Sequence, residues 1–133
     1  MNDRSLEDKL VRDAWRVREA SYAPYSQFRV GAAVLASSGR IYIGANVENA
    51  SYGLTVCAER AAVFAAVSAG ERKLEMLAVV TDAPSITPPC GACRQVIWEF
   101  AKDASIIAEN QRGERRHWKI QELLPDAFDL TGS

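Results

Sequence analysis

Two hydrophobic rhythms alternate along this chain. From Ser5 to Ala20, Leu6, Leu10, Ala14 and Val17 recur at spacings of three and four, with Arg, Asp and Glu between them. That spacing predicts a helix with one apolar stripe. Ser21-Tyr22-Ala23-Pro24-Tyr25-Ser26 breaks the period, and Pro24 makes the stretch a loop. Arg29 to Ala36 is apolar and partly β-branched, Ser37 to Arg40 is turn-like, and Ile41 to Ala45 is apolar again. Two strands this close in sequence predict an antiparallel hairpin.

Asn46 to Val56 is polar and irregular. Cys57 to Ala69 is alanine-rich, with Val63, Phe64 and Val67 as its larger apolar groups, and Gly70 suits the position just past a helix end. So much alanine predicts a helix buried on most of its surface. Leu74 to Val80 is a continuous apolar run, the pattern of a strand covered on both faces. After the proline-rich loop Asp82 to Pro89, Gly91 to Ala101 reads as a helix and Ala104 to Ala108 as a strand. A turn at Asn110 to Gly113, a strand from Arg115 to Ile120 and a short helical turn from Gln121 to Leu124, stopped by Pro125, complete the chain. Helices interleaved with five strands predict an α/β fold, a three-layer α/β/α sandwich around a mixed five-stranded sheet. No repeat, linker or low-complexity run divides it, so residues 1–133 read as one domain.

Composition changes this picture little. Hydrophobic residues are 48% and charged residues 25%, enough apolar material for a chain of this size to bury roughly two-thirds of its unfolded surface. The net charge of −1 offers no general attraction to nucleic acid or to anionic membranes. Met1 to Leu10 is polar and mixed in charge, unlike a secretory signal. No apolar run approaches the roughly 20 residues that span a bilayer. The expected compartment is the cytoplasm.

The three cysteines carry the chemistry. All lie in two segments, Cys57-Ala58-Glu59-Arg60 and Pro89-Cys90-Gly91-Ala92-Cys93-Arg94-Gln95. Without a signal segment, an odd number of cysteines points to metal or catalytic thiols rather than to disulfides. Pro88 and Pro89 favour a helix start, which places Cys90 and Cys93 on one face of a first turn. Cys57 also opens a helix. The partial positive charge of a helix N-terminus favours thiolate, so two such starts converging on one ion would hold Zn²⁺ by Cys57, Cys90 and Cys93. Three protein ligands leave a fourth position open, as in catalytic zinc sites; structural sites are closed by four. Three thiolates outweigh the charge of Zn²⁺, and Arg60 and Arg94 stand where they would donate to ligand sulfurs and offset the excess. Glu59 reaches the metal only if Cys57 sits at the helix boundary, because residues two apart do not share a helix face.

The pattern C-x-E followed at a distance by P-C-x-x-C resembles that of zinc deaminases, in which the glutamate is not a ligand. More of the chain resembles the small homotetrameric nucleoside cytidine deaminases. The resemblance runs through Tyr22-x-x-Tyr25-Ser26-x-Phe28-x-Val30-Gly31-Ala32-Ala33, then Gly44-x-Asn46-x-Glu48-Asn49-Ala50-x-Tyr52. It continues through both cysteine segments to Leu123-Leu124-Pro125-x-Ala127-Phe128. It implies hydrolytic deamination of free cytidine and 2'-deoxycytidine in pyrimidine salvage, with one Zn²⁺ per chain. Glu59 would shuttle protons as the catalytic residue. Asn46 and Glu48 would hold the ribose hydroxyls, and Phe28 and Ala58 would belong to the substrate-binding wall. Ala50 and Tyr52 would reach into a neighbouring subunit's site, and Phe128 would cover the base from another, in a homotetramer with shared sites. Glu109 to Lys119 is unusually charged and is the stretch least like that family.

Other readings stay open at this point. His117, the one histidine, would close a structural Cys₃His zinc site. Arg112, Arg115, Arg116 and Lys119 suggest a basic patch for a polynucleotide substrate, although Glu109, Glu114 and Glu122 interleave with them as on a solvated hairpin. A blasticidin-S-type deaminase would share the three cysteines and the cytosine chemistry. A catalytically dead binding module would keep the fold without the reaction. Phe28, Tyr52 and Phe128, taken singly, read as packing residues.

Overall fold

The helical period at the start of the chain forms α1 (Asp3–Arg18). It is followed by β1 (Val30–Ala36), β2 (Ile41–Ala45), α2 (Ala58–Ser68), β3 (Leu74–Thr81), α3 (Gly91–Phe100), β4 (Ser105–Glu109), β5 (Arg115–Lys119) and α4 (Ile120–Leu123). The computed structural model describes residues 3–130. Met1, Asn2 and 131–133, which the readings of the N-terminus and of the 1–133 domain include, lie outside the described residues.

The five strands form one mixed sheet in the order β2-β1-β3-β4-β5. Only β3 and β4 run parallel, through the crossover that contains α3; the other neighbours are antiparallel. Strand alternation sorts the core into two halves. Ala33, Leu35, Ala78, Val80 and Ile107 face α1, where Leu10, Val11 and Ala14 are buried. Ala32, Val34, Leu77, Val79 and Ile106 face α2 and α3. The expected α/β/α sandwich is present, and β3 is the doubly covered strand that its apolar run predicts.

The differences lie at element ends, in one unpredicted turn and in how far α2 is covered. The expected helix over Ser5–Ala20 ends at Arg18, because the chain turns away to pair Tyr22 with Val47. Cys57 sits at the helix boundary that Glu59 requires, as the extended N-cap of α2 with φ −71° and ψ 152°, so the helix proper starts at Ala58. The strand expected to close at Val80 runs on to Thr81, which pairs with Val30. A 3-10 turn at Tyr52–Leu54 interrupts the irregular stretch and was not foreseen. Nor is α2 buried on most of its surface: Ala58, Ala62, Val63 and Ala66 face the core, while Phe64 is 47% exposed. Among the described residues no helix is long and apolar enough to cross a membrane.

Small residues let α2 sit close against the hairpin. A Cβ on Gly44 of β2 would lie 2.3 Å from the backbone nitrogen of Ala62 and 2.7 Å from the carbonyl oxygen of Ala58. Neither atom has a flexible end that could move aside. Replacing Gly44 by alanine is expected to cost about 1–3 kcal/mol and to displace the first turn of α2, which carries Glu59. A lower denaturant midpoint together with weaker zinc retention would show both effects, whereas a midpoint equal to wild type would refute the close-approach argument.

The charged segment that looked atypical ties the far edge of the sheet to α1. Arg115 on β5 meets Glu7 at 2.8 Å, Asp8 at 2.7 Å and Glu109 at 2.7 Å, and Trp15 donates to Glu109 at 2.6 Å. Burial opposes ionisation of Glu7, but hydrogen bonds from His117 and Arg115 outweigh it and hold the carboxyl below its ordinary value of 4.5. A depressed carboxylate stabilises fully above the unfolded value and loses that contribution as pH falls through the folded one. Arg115→Leu is therefore expected to cost on the order of 2 kcal/mol at pH 7. The deficit relative to wild type should shrink progressively as the pH drops below about 4.5. Paired thermal unfolding curves at pH 7 and pH 3.5 check this, and a gap that widens in acid would contradict it.

Candidate metal centre

Two helix starts meet on the α2–α3 face of the sheet. Cys57 caps α2 and Cys90 caps α3, both in extended conformation and neither with its sulfur making a capping hydrogen bond to its own helix. Their sulfurs are thus left to face each other. Cys90 Sγ lies 3.9 Å from Cys57 Sγ and 3.4 Å from Cys93 Sγ, and all three sulfurs lie within 4.8 Å of one another. Tetrahedral zinc with bonds of about 2.3 Å requires sulfurs roughly 3.8 Å apart, so this donor set fits the ion. Cys57 is half-buried, Cys90 exposed and Cys93 fully buried, which leaves one side of the triad open.

The local field drives Cys57 toward the thiolate. Its pKa falls because the Cys93 thiol hydrogen-bonds to it; burial works against this, and the neighbouring Arg60 adds to the lowering. Arg60 Nη2 donates to Cys57 Sγ at 3.4 Å and to the Thr55 carbonyl at 3.3 Å. Arg94 does not reach a sulfur. It donates to the carbonyls of Pro89 at 2.8 Å and Leu123 at 3.0 Å. It therefore braces the backbone just before Cys90 against α4, and the expected sulfur contact is corrected for this residue.

Glu59 stands in the first turn of α2 and is only 5% exposed. Burial raises its pKa from 4.5 to about 7. A carboxyl in that range can both take and return a proton at neutral pH. It opens on a cleft of about 240 Å³ that also includes Phe28, Asn46, Glu48, Ala58, Cys57 and Cys90. Four of the seven expected substrate-binding residues thus line one hollow beside the sulfurs. Ala50, Tyr52 and Phe128 are not in it; Tyr52 is 77% exposed and Phe128 66% exposed.

The polar residues of the cleft are tied to the loop between α1 and β1. Asn46 accepts from Val30 N at 2.9 Å and donates to the Phe28 carbonyl at 2.7 Å. Glu48 Oε1 accepts from the backbone N–H groups of Tyr25 at 3.0 Å and Ser26 at 3.2 Å, and Oε2 accepts from the Ser26 hydroxyl. These bonds, led by that of the Ser26 hydroxyl, hold the Glu48 carboxyl below its ordinary range. Sequence reasoning did not single out Ser26, Thr55 or Thr87; the latter two also line the cleft. Only Ser26 carried a signal, through its place in the Tyr25-Ser26-x-Phe28 stretch.

His117 lies elsewhere. It is on β5 and pairs with Glu7 of α1 at 2.9 Å, across the sheet from α2 and α3, in a separate hollow of about 840 Å³ lined by charged groups such as Arg4 and Arg115. Among the described residues the metal-binding group consists of the three cysteines. The closed Cys₃His reading is thereby overturned. Cys93→Ser is expected to abolish stoichiometric zinc and His117→Ala to retain it, measured as metal content per purified chain. Zinc lost with the histidine would reverse this assignment.

Comparison with known proteins points the same way. Residues 4–109 match the family model described as the cytidine and deoxycytidylate deaminase zinc-binding region. A cytidine deaminase of Halalkalibacterium halodurans is 49% identical over 120 residues, covering 90% of this chain and 91% of that protein. One from Mycobacterium tuberculosis is 46% identical over 118 residues, with 89% and 86% covered. Among solved structures, the cytidine deaminase of Burkholderia pseudomallei aligns with a TM-score of 0.89 at 44% identity, over 96% of this chain and all of that one.

Proposed function

The chain belongs to the cytidine and deoxycytidylate deaminase zinc-binding family, and on that premise we propose that it hydrolyses free cytidine and 2'-deoxycytidine. The products are the corresponding uridines and ammonia. The observation that supports this most is the buried Glu59 opening, beside three clustered sulfurs, on a cleft that Asn46 and Glu48 also line. In this reading residues 1–133 are one catalytic domain, serving pyrimidine salvage in the cytoplasm.

Cys57, Cys90 and Cys93 would hold the zinc, which when bound would supply an acidified water as the nucleophile. Glu59 takes the proton of that water as its oxygen adds to C4 of the cytosine. The same carboxyl delivers the proton to N3, then takes the proton of the hydroxyl now on C4 and passes it to the departing amino group, leaving a C4 carbonyl. Water is consumed and ammonia released, so the proton account closes on Glu59 alone. Ala58 and Phe28 form the wall around the base, and Asn46 and Glu48 take the sugar. Arg60 offsets the surplus negative charge of the thiolates, and Arg94 holds the Cys90 turn in place.

A homotetramer completes the site in this proposal. A cleft of 240 Å³ is smaller than the roughly 300–1,000 Å³ of most small-molecule sites, and one side is open. Tyr52, Leu54, Phe64 and Phe128 are large apolar side chains left exposed on a small chain. Ala50 and Tyr52 of one neighbour and Phe128 of another would close the cavity over the nucleoside.

Glu59→Gln tests the assignment. It is expected to keep the zinc and the fold while lowering kcat by at least the 10²–10⁴-fold typical of a lost proton carrier. Purified protein is given cytidine, deoxycytidine, cytosine and blasticidin S, and the loss of cytosine absorbance is followed. Turnover confined to blasticidin S would displace the proposal in favour of the antibiotic deaminase, and near-normal turnover by Glu59→Gln would remove the glutamate from the mechanism.

A further inference from the structure

The loop before β1 is held in a conformation its own sequence does not favour. Gln27 has φ +62°, a region that residues with a Cβ seldom enter. Two local bonds brace it, from Gln27 N to Ala23 O at 3.0 Å and from Gln27 Nε2 to Pro24 O at 3.1 Å. The tie to the cleft is Ser26. Its hydroxyl oxygen accepts from Phe28 N at 2.9 Å, and its proton goes to Glu48 Oε2. Its own N–H goes to Glu48 Oε1. The hydroxyl therefore has one available direction, because Phe28 N can only donate and an ionised Glu48 can only accept.

We propose that Ser26 is the positioning residue for sugar recognition, locking the Glu48 carboxylate and the Phe28 backbone into one arrangement and leaving Glu48 a single acceptor site for the substrate. This rests on the reading of the cleft as a nucleoside site. A carboxylate offers about four lone-pair directions. Two are taken on Oε1, by Tyr25 N and Ser26 N, and one on Oε2, by the Ser26 hydroxyl. What remains is one position on Oε2. Glu48 thus accepts one sugar hydroxyl and not a neighbouring pair. Without the Ser26 hydroxyl, Oε2 is free to turn, Phe28 N loses its acceptor, and the strained loop is no longer fastened to the residue that reads the sugar.

The test uses the zinc-loaded enzyme and its Ser26→Ala and Ser26→Thr variants, with cytidine, 2'-deoxycytidine, 3'-deoxycytidine and 2',3'-dideoxycytidine. For cytidine, Ser26→Ala is expected to raise KM about tenfold, as for loss of one hydrogen bond to a charged group. Its kcat should stay within about threefold, because the chemistry at C4 is untouched. Ser26→Thr restores KM. The tenfold penalty disappears for the dideoxy nucleoside and for one of the two monodeoxy nucleosides, and persists for the other. Zinc content and melting temperature of Ser26→Ala are read alongside, and retained metal assigns the KM change to recognition. An unchanged KM, an equal penalty on all four substrates, or a fall in kcat with KM steady would overturn the role of Ser26 while leaving the deaminase reading intact. Failure of the wild-type enzyme to turn over any of the four would overturn both.

Discussion

Everything in this structure depends on bringing two helix N-termini to one point. Each starts with a cysteine in extended conformation whose sulfur does not cap its own helix. The unpaired N–H groups of a first turn carry partial positive charge, and that charge lowers the cost of crowding three sulfurs within 4.8 Å. Such an arrangement cannot be made locally, since 33 residues separate Cys57 from Cys90. The sheet makes it. β3 runs through the centre of the molecule and delivers the loop that carries Cys90, while the β1–β2 hairpin sets the depth of α2.

That depth is fixed by atoms that are missing. Gly44 has no Cβ where α2 crosses, and alanines at 58, 62 and 66 line the buried side of the helix. The helix backbone therefore lies almost on the strand, and the first turn, with Glu59, is placed by contact rather than by a flexible loop. At the opposite edge the sheet is held by charge: Arg115 collects carboxylates from α1 and from its own hairpin. The two edges use different forces because β2 packs against both α1 and α2, whereas β5 ends in solvent with Arg116, His117 and Lys119 exposed.

What the sequence made legible follows from the range of the interactions. The apolar period located the three long helices and the first four strands, since burial of a face is written into spacing along one segment, whereas the charged β5 and the 3-10 turn at Tyr52–Leu54 carry no such period. The cysteines and Glu59 were legible because their residue types are rare and their chemistry narrow. Pairings between segments were not. The bond from Ser26 to Glu48 spans 22 residues and that from Arg94 to the Leu123 carbonyl spans 29, and neither leaves a periodic trace. His117 was a reasonable fourth ligand by composition, and only the side of the sheet on which β5 places it separates it from the sulfurs. The alanine content of α2 was misread for a related reason: it reports how close the helix comes to the sheet, not how much of its circumference is covered.

The departures from ordinary protein construction gather at one corner. Gln27 has a left-handed backbone, Glu59 is a buried carboxyl, and Arg60 Nε is buried with no hydrogen-bond partner among the described residues. Each is unfavourable by itself, a residue in the left-handed region costing on the order of 1–3 kcal/mol. All three lie on segments that line the cleft or flank the cysteines, while the α1 face, with its alternating strands and paired charges, breaks no such rule. Strain and unpaired polarity persist where the surrounding fold over-determines them, and they tend to mark functional sites. The corner they mark here is the one the sulfurs mark.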